Sequence, residues 1–278
     1  MKTSACALFL SLFLHLASQA YAIKPDREYF MTPDSVGWKY EQWEIKTSDD
    51  YKLVSWVYEA NPENSKDTVL ILAYPDAGNM SYFVYYAAIL ANQGYTVVTF
   101  DYRGFGKSDD FEIQRDYLYY TEFAKDIEAV VNSVSSNFSN RNIGLWGMSM
   151  GTTIITRAYP AIKDKVDFIV GEGYVTDTAA IIGRYEDLDK SLTLPEEPAK
   201  YQKALRSIDI PLLIFTASND SITTHQDAVD LKKSLGGNCE VVQYLGEHLT
   251  GFNHQLETRG FGGWYEEQIG DFIDRQLH

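Results

Sequence analysis

Asn142-Ile-Gly-Leu-Trp-Gly-Met-Ser-Met-Gly-Thr-Thr153 compresses a strand, a sharp turn and the start of a helix into one short stretch. Asn142 to Trp146 reads as a short buried strand, and Met150 to Tyr159 as the helix that follows it. Between them, Gly147-Met-Ser-Met-Gly151 is a G-x-S-x-G, whose glycines let the backbone turn tightly enough to push the Ser149 hydroxyl out at the C-terminal edge of a sheet. There the N-terminus of the new helix favours developing negative charge. The pentapeptide alone recurs in ordinary loops. Its place between a strand and a helix marks Ser149 as a nucleophile.

Outward from this turn the chain alternates. Gln42 to Lys46 and Tyr51 to Tyr58 read as two strands joined at Ser48-Asp-Asp50. Strands are then expected over Thr68 to Ala73, Thr96 to Phe100, Val166 to Val170, Pro211 to Thr216 and Glu240 to Leu245. Helices are expected over Tyr82 to Gln93, Glu122 to Ser135, Gln226 to Leu235 and Trp264 to Leu277. A hairpin followed by alternating β and α units predicts an α/β fold: a mostly parallel sheet with helices on both faces, and reactive groups at the C-terminal strand ends. No repeat or linker divides residues 23–278. The strand-free segment at about 172–208 reads as a small cap. Its Thr176 to Leu188 is expected to be helical, with Ala179, Ile181, Ile182 and Leu188 turned towards the sheet.

Three further stretches resemble the α/β-hydrolase family, and the resemblance covers nearly all of the chain beyond residue 22. Leu70-Ile-Leu-Ala-Tyr-Pro-Asp-Ala-Gly-Asn79 is similar to the family's strand ending in a His-Gly-x loop. Phe100-Asp-Tyr-Arg-Gly-Phe-Gly-Lys-Ser-Asp109 is similar to its Asp-x-Arg-Gly-x-Gly-x-Ser segment. Ile210-Pro-Leu-Leu-Ile-Phe-Thr-Ala-Ser-Asn-Asp220 resembles the strand that leads to the catalytic acid. The resemblance implies an α/β-hydrolase fold and a Ser, Asp, His order along the chain. Asp220 then falls at the acid position, with Glu172 in reserve. The base should follow the last strand, where Leu245-Gly-Glu-His248 is similar to the family's Gly-x-His ending; His254 is the alternative, and His225 lies too early. The tetrahedral oxyanion requires two N–H donors. Met150 supplies one, and the loop after the Thr68 strand the other, through Asp76 or, alternatively, Ala77. Tyr74-Pro75-Asp76 departs from His-Gly-x: proline has no N–H, and a carboxylate beside an oxyanion is unfavourable unless it turns away.

The N-terminus is read separately. Met1-Lys2, an apolar run from Ala7 to Ala17 and the small-x-small triplet Ala20-Tyr-Ala22 have the form of a secretory signal peptide over residues 1–22, too short in its apolar part to span a bilayer. Cleavage at about Ala22 and a secreted or periplasmic location are expected. Beyond the leader, 23 basic side chains face 39 acidic ones, a net charge of −16 that disfavours nucleic acid and anionic membranes as partners. One cysteine remains, Cys239, so no intramolecular disulfide is expected. Gly104-Phe-Gly-Lys-Ser108 imitates the end of a phosphate loop, but Asp101 stands where its first glycine is required. The histidine spacing implies no metal, and no cofactor is implied. The expectation is a serine hydrolase cleaving a small-molecule acyl ester, as carboxylesterases and lipases do, through Ser149, His248 and Asp220. The alternatives are a non-catalytic binding protein on the same fold, or an acyltransferase or serine peptidase using the same triad.

Overall fold

A computed structural model describes residues 22–277. The expected leader therefore lies, except for Ala22, outside the described residues. The strands are β1 (Lys24–Pro25), β2 (Tyr40–Lys46), β3 (Lys52–Tyr58), β4 (Thr68–Ala73), β5 (Ala77–Gly78), β6 (Thr96–Phe100), β7 (Asn142–Met148), β8 (Phe168–Glu172), β9 (Leu212–Ala217) and β10 (Cys239–Tyr244). The helices are α1 (Val84–Asn92), α2 (Glu122–Asn137), α3 (Met150–Ile162), α4 (Thr178–Glu186), α5 (Pro198–Leu205), α6 (His225–Leu235), α7 (Leu256–Arg259) and α8 (Gly263–Leu277).

Eight strands form one sheet in the order β10-β9-β8-β7-β4-β6-β3-β2. Only the β2–β3 and β3–β6 pairings are antiparallel. β4 and β7 lie at the centre, and every residue of β4 is buried. An unbroken apolar run such as Val69-Leu-Ile-Leu-Ala73 suits this place, because helices cover both faces. After β4 the chain steps to β6 on one side, then returns to β7 on the other. Strand order thus reverses at β4 and β7, and their C-terminal ends flank the crevice where α/β sheets place their ligands.

Helix α3 packs unusually close to the sheet. A Cβ on Gly151 would lie 1.8 Å from the Ala73 carbonyl oxygen, so only glycine fits there. On the other side, α8 buries Trp264, Tyr265, Ile269, Phe272 and Ile273, and Tyr265 stacks on Phe215 at 4.2 Å.

Four features depart from the expectations. A turn of 3-10 helix at Met80–Phe83 precedes α1, because the Asn79 side chain caps it by accepting from the Ser81 N–H. Pro198–Leu205 is helical, with Pro198 in the first turn, where the missing N–H costs nothing. Asp177 caps α4, within which Ile181 is buried, Ile182 only partly so and Ala179 exposed; Leu188, two residues past the helix, is exposed as well, so the inward face is narrower than expected. Finally, β1 pairs in parallel with β5. The Lys24 N–H donates to the Asp76 carbonyl (2.8 Å) and the Asp26 N–H to that of Gly78 (2.8 Å). The Asn79 amide donates to the carbonyls of Asp26 and Glu28, and the Tyr29 hydroxyl to Asp101. Residues 22–31 form a strap across the loop that follows β4.

Candidate active site

Ser149 ends the turn between β7 and α3 with φ 49° and ψ −116°, a left-handed conformation that is strained for a side chain. Its N–H donates to the Glu172 carbonyl at the end of β8 (2.9 Å), and its carbonyl accepts from the Thr152 N–H and hydroxyl. These bonds hold the strained residue in place. The hydroxyl lies 3.1 Å from His248 Nε2. On the far side of the ring, His248 Nδ1 is 2.6 Å from Asp220 Oδ2.

The Asp220 carboxylate is thoroughly engaged. Its Oδ1 accepts from the N–H groups of Ile222 and Thr223, and its Oδ2 from the Thr223 hydroxyl. Burial alone would raise its pKa, but the His248 and Thr223 bonds outweigh that and hold it below the usual carboxylate value. An ionised carboxylate can only accept, so Nδ1 carries a proton and Nε2 is left free to accept from Ser149. Burial would likewise lower the His248 pKa; Asp220, helped by Glu172 and Asp76, raises it above its ordinary value.

His254 is elsewhere. It packs edge-on against Trp264, ring centres 4.5 Å apart, and makes no contact with Ser149. His225 starts α6 and pairs through Nδ1 with the Thr216 hydroxyl (2.8 Å). Glu172 does not bond His248: its Oε1 accepts from the Tyr244 hydroxyl (2.6 Å) and the Gly251 N–H (2.8 Å). It thereby ties down both ends of the loop that carries His248.

Met150 is the first residue of α3, so its N–H has no acceptor within the helix. It lines a cavity beside Ser149 together with Asp76, while Ala77 pairs with the strap in β5. The Lys24 bond to the Asp76 carbonyl fixes the peptide plane between these two candidate donors. Burial pushes the Asp76 carboxyl up to about 6, with nearby His248 opposing the shift.

Sequence reasoning missed two supports of this arrangement. Thr223 steers the acid through its hydroxyl. Gly173 (φ +61°) leaves room for the base, since a Cβ there would sit 2.6 Å from His248 Cε1. Gly173 belongs to no local pattern, whereas Thr223 stands three residues after Asp220 in the turn that the carboxylate caps. Among the described residues no group of three or more His, Cys, Asp or Glu side chains is arranged to hold a metal ion.

A serine within hydrogen-bond reach of a histidine on a strand-turn-helix, at the switch point of a mostly parallel eight-stranded sheet, defines a class: the chain has the α/β-hydrolase fold. Residues 77–177 match a family described as serine aminopeptidase, S33. An esterase of Pyrococcus furiosus, Pf2001, superposes with a TM-score of 0.71 at 19% identity, covering 92% of this chain and all of the other. The uncharacterized membrane protein YNL320W of Saccharomyces cerevisiae is 31% identical over 171 residues, which span 60% of this chain and 57% of that protein. YfhR of Escherichia coli is 25% identical over 244 residues, 85% of this chain and 81% of that protein.

Proposed function

We propose that the protein is a serine hydrolase that cleaves an acyl ester of small-molecule size. Ser149 is the nucleophile, His248 the general base and Asp220 the acid that orients it. The observation that carries this reading is the unbroken relay from hydroxyl to imidazole to carboxylate, at 3.1 and 2.6 Å.

In the first step the Ser149 proton passes to His248 Nε2 as its oxygen bonds the acyl carbon. The carbonyl electron pair moves onto oxygen, where the Met150 and Asp76 N–H groups receive it. Collapse of this intermediate breaks the bond to the leaving alcohol, which takes the proton back from His248. Water then attacks the acyl-enzyme, losing its proton to His248, and the carboxylic acid departs as Ser149 recovers its own. Asp220 stabilises the imidazolium in both halves.

A fluorophosphonate probe, followed by mass spectrometry of the labelled peptide, tests the assignment. Labelling at Ser149 with hydrolysis of p-nitrophenyl acetate is expected, and both should vanish in Ser149→Ala. An unlabelled but folded wild-type chain would favour the binding-protein reading. The family match at residues 77–177 supports one second reading on the same residues, an aminopeptidase. Faster turnover of an aminoacyl p-nitroanilide than of any ester would select it.

A further inference from the structure

The cavity beside Ser149 is small, about 20 Å³. Ser149, Met150 and Asp76 line it, so this is where the carbonyl and the start of an acyl chain must go. Its apolar walls include Val175, Ile181 and Ala22.

Both Ile181 and Ala22 are firmly held. Ile181 is 3% exposed on α4, which is tied to α6 by a two-pronged bond from Arg184 to Asp227 (2.6 and 2.9 Å). Ala22 is 7% exposed although it stands at the start of the strap. Its N–H and that of Ile23 both donate to the Arg115 carbonyl (2.7 and 3.2 Å), Ile23 is fully buried, and the next residue enters β1. A segment fixed in this way is a wall and not a loose flap.

We propose that the site accepts an acetyl-sized acyl group, and that Ala22 and Ile181, which both line the cavity, set the limit; the inference rests on the serine hydrolase reading. The acetyl methyl occupies this small space. Each further methylene would have to displace Ala22 or Ile181. Misfit of one methylene in an apolar pocket changes specificity by roughly 10- to 200-fold. The proposal has a consequence for processing. A cut after Ala22 would remove part of the wall, whereas Ser18-Gln-Ala20, a second small-x-small triplet two residues earlier, would leave Ala22 in the chain. If a leader is removed from this chain, the proposal requires the cut to fall before Ala22.

The test uses the full chain, expressed with its leader and purified, with its N-terminus read by intact mass. p-Nitrophenyl acetate, butyrate and hexanoate are compared for the wild type, Ala22→Gly, Ala22→Leu and Ile181→Ala. Fluorophosphonate labelling reports Ser149 separately. The wild type should favour acetate over butyrate by at least about tenfold in kcat/KM. Ile181→Ala should narrow that ratio about tenfold or more, Ala22→Gly more modestly, and Ala22→Leu should depress even acetate. Ala22→Gly deletes a single methyl and keeps the test decisive if Ile181→Ala fails to fold. A labelled wild type that prefers butyrate or hexanoate would overturn the proposal. So would an unmoved ratio in the folded variants, or a mature chain beginning at Ile23. Failure to label at all would instead bring down the hydrolase reading on which it rests.

Discussion

His248 is surrounded by carboxylates: Asp220 in direct contact, Glu172 behind its loop and Asp76 across the cavity. Each favours the imidazolium, and together they outweigh the burial that would otherwise lower the pKa. The base must be neutral to accept the Ser149 proton. kcat/KM for an ester should therefore fall as pH drops, with a midpoint above the ordinary 6.5. Glu172→Gln keeps an acceptor for Tyr244 and Gly251 but removes a negative charge, so a pH–rate profile should show the midpoint move to lower pH. An unshifted midpoint would mean that Glu172 is already protonated over this range, which burial also favours. His248→Ala should lose on the order of 10³-fold or more in kcat, and His254→Ala less than about tenfold. The reverse order would refute the choice of base. Gly173→Ala, whose Cβ meets the ring of His248, should cost at least about 100-fold in activity while thermal unfolding still reports a folded chain.

Among the elements, α4 offers a controlled comparison. Ile181 lines the cavity and its neighbour Ile182 does not, although the sequence presents them as equivalent. Ile181→Trp should abolish butyrate hydrolysis and strongly reduce acetate hydrolysis. Ile182→Trp should change both by less than about threefold. Equal effects would mean that α4 acts through the fold rather than the pocket. This pair also marks where sequence reading stops. The central strands are legible because burial on both faces demands continuous apolar runs, and the turn at Ser149 because its strand, glycines and helix are all local. Asp220 and His248 are reached by their order after known strands. By contrast, β1 and β5 are two residues each, too short for any periodicity. The face that α4 turns inward is set by packing on distant elements, and the role of Gly173 arises from His248, 75 positions away, meeting it in space. Such contacts leave no local trace.

Across the whole molecule, one buried cation joins separate layers. Arg103, after β6, donates from Nη1 and Nη2 to Asp49 in the β2–β3 turn (both 2.9 Å) and from Nε and Nη2 to Asp126 on α2 (2.9 and 2.7 Å). Its guanidinium also lies 4.1 Å above the Tyr51 ring. Removing one partner of a buried pair strands the other, so Arg103→Ala should cost about 3–5 kcal/mol in urea unfolding. Bonding to Arg103 holds the Asp49 pKa far below its ordinary 3.8, with burial as the opposing effect. The stability that Asp49 contributes is thus complete above about pH 4 and is lost as pH falls through its lowered folded value. In Asp49→Asn that part of the acid transition should disappear. A buried thiol completes this picture of inert internal groups, since burial pushes Cys239 up to about 11.

The strap also imposes an order of events during synthesis. Ala22 emerges early, but its partner, the Arg115 carbonyl, follows about 90 residues later. Translation at roughly 5–20 residues per second leaves an interval of about 5–20 s before the strap can dock. In that interval Ala22 and Ile23 lack the bonds that fix them, and afterwards both are bonded and buried. A protease arriving after docking would meet buried, hydrogen-bonded backbone, so cleavage at Ala22 and Ile23 should be far faster on the nascent or unfolded chain than on the folded one.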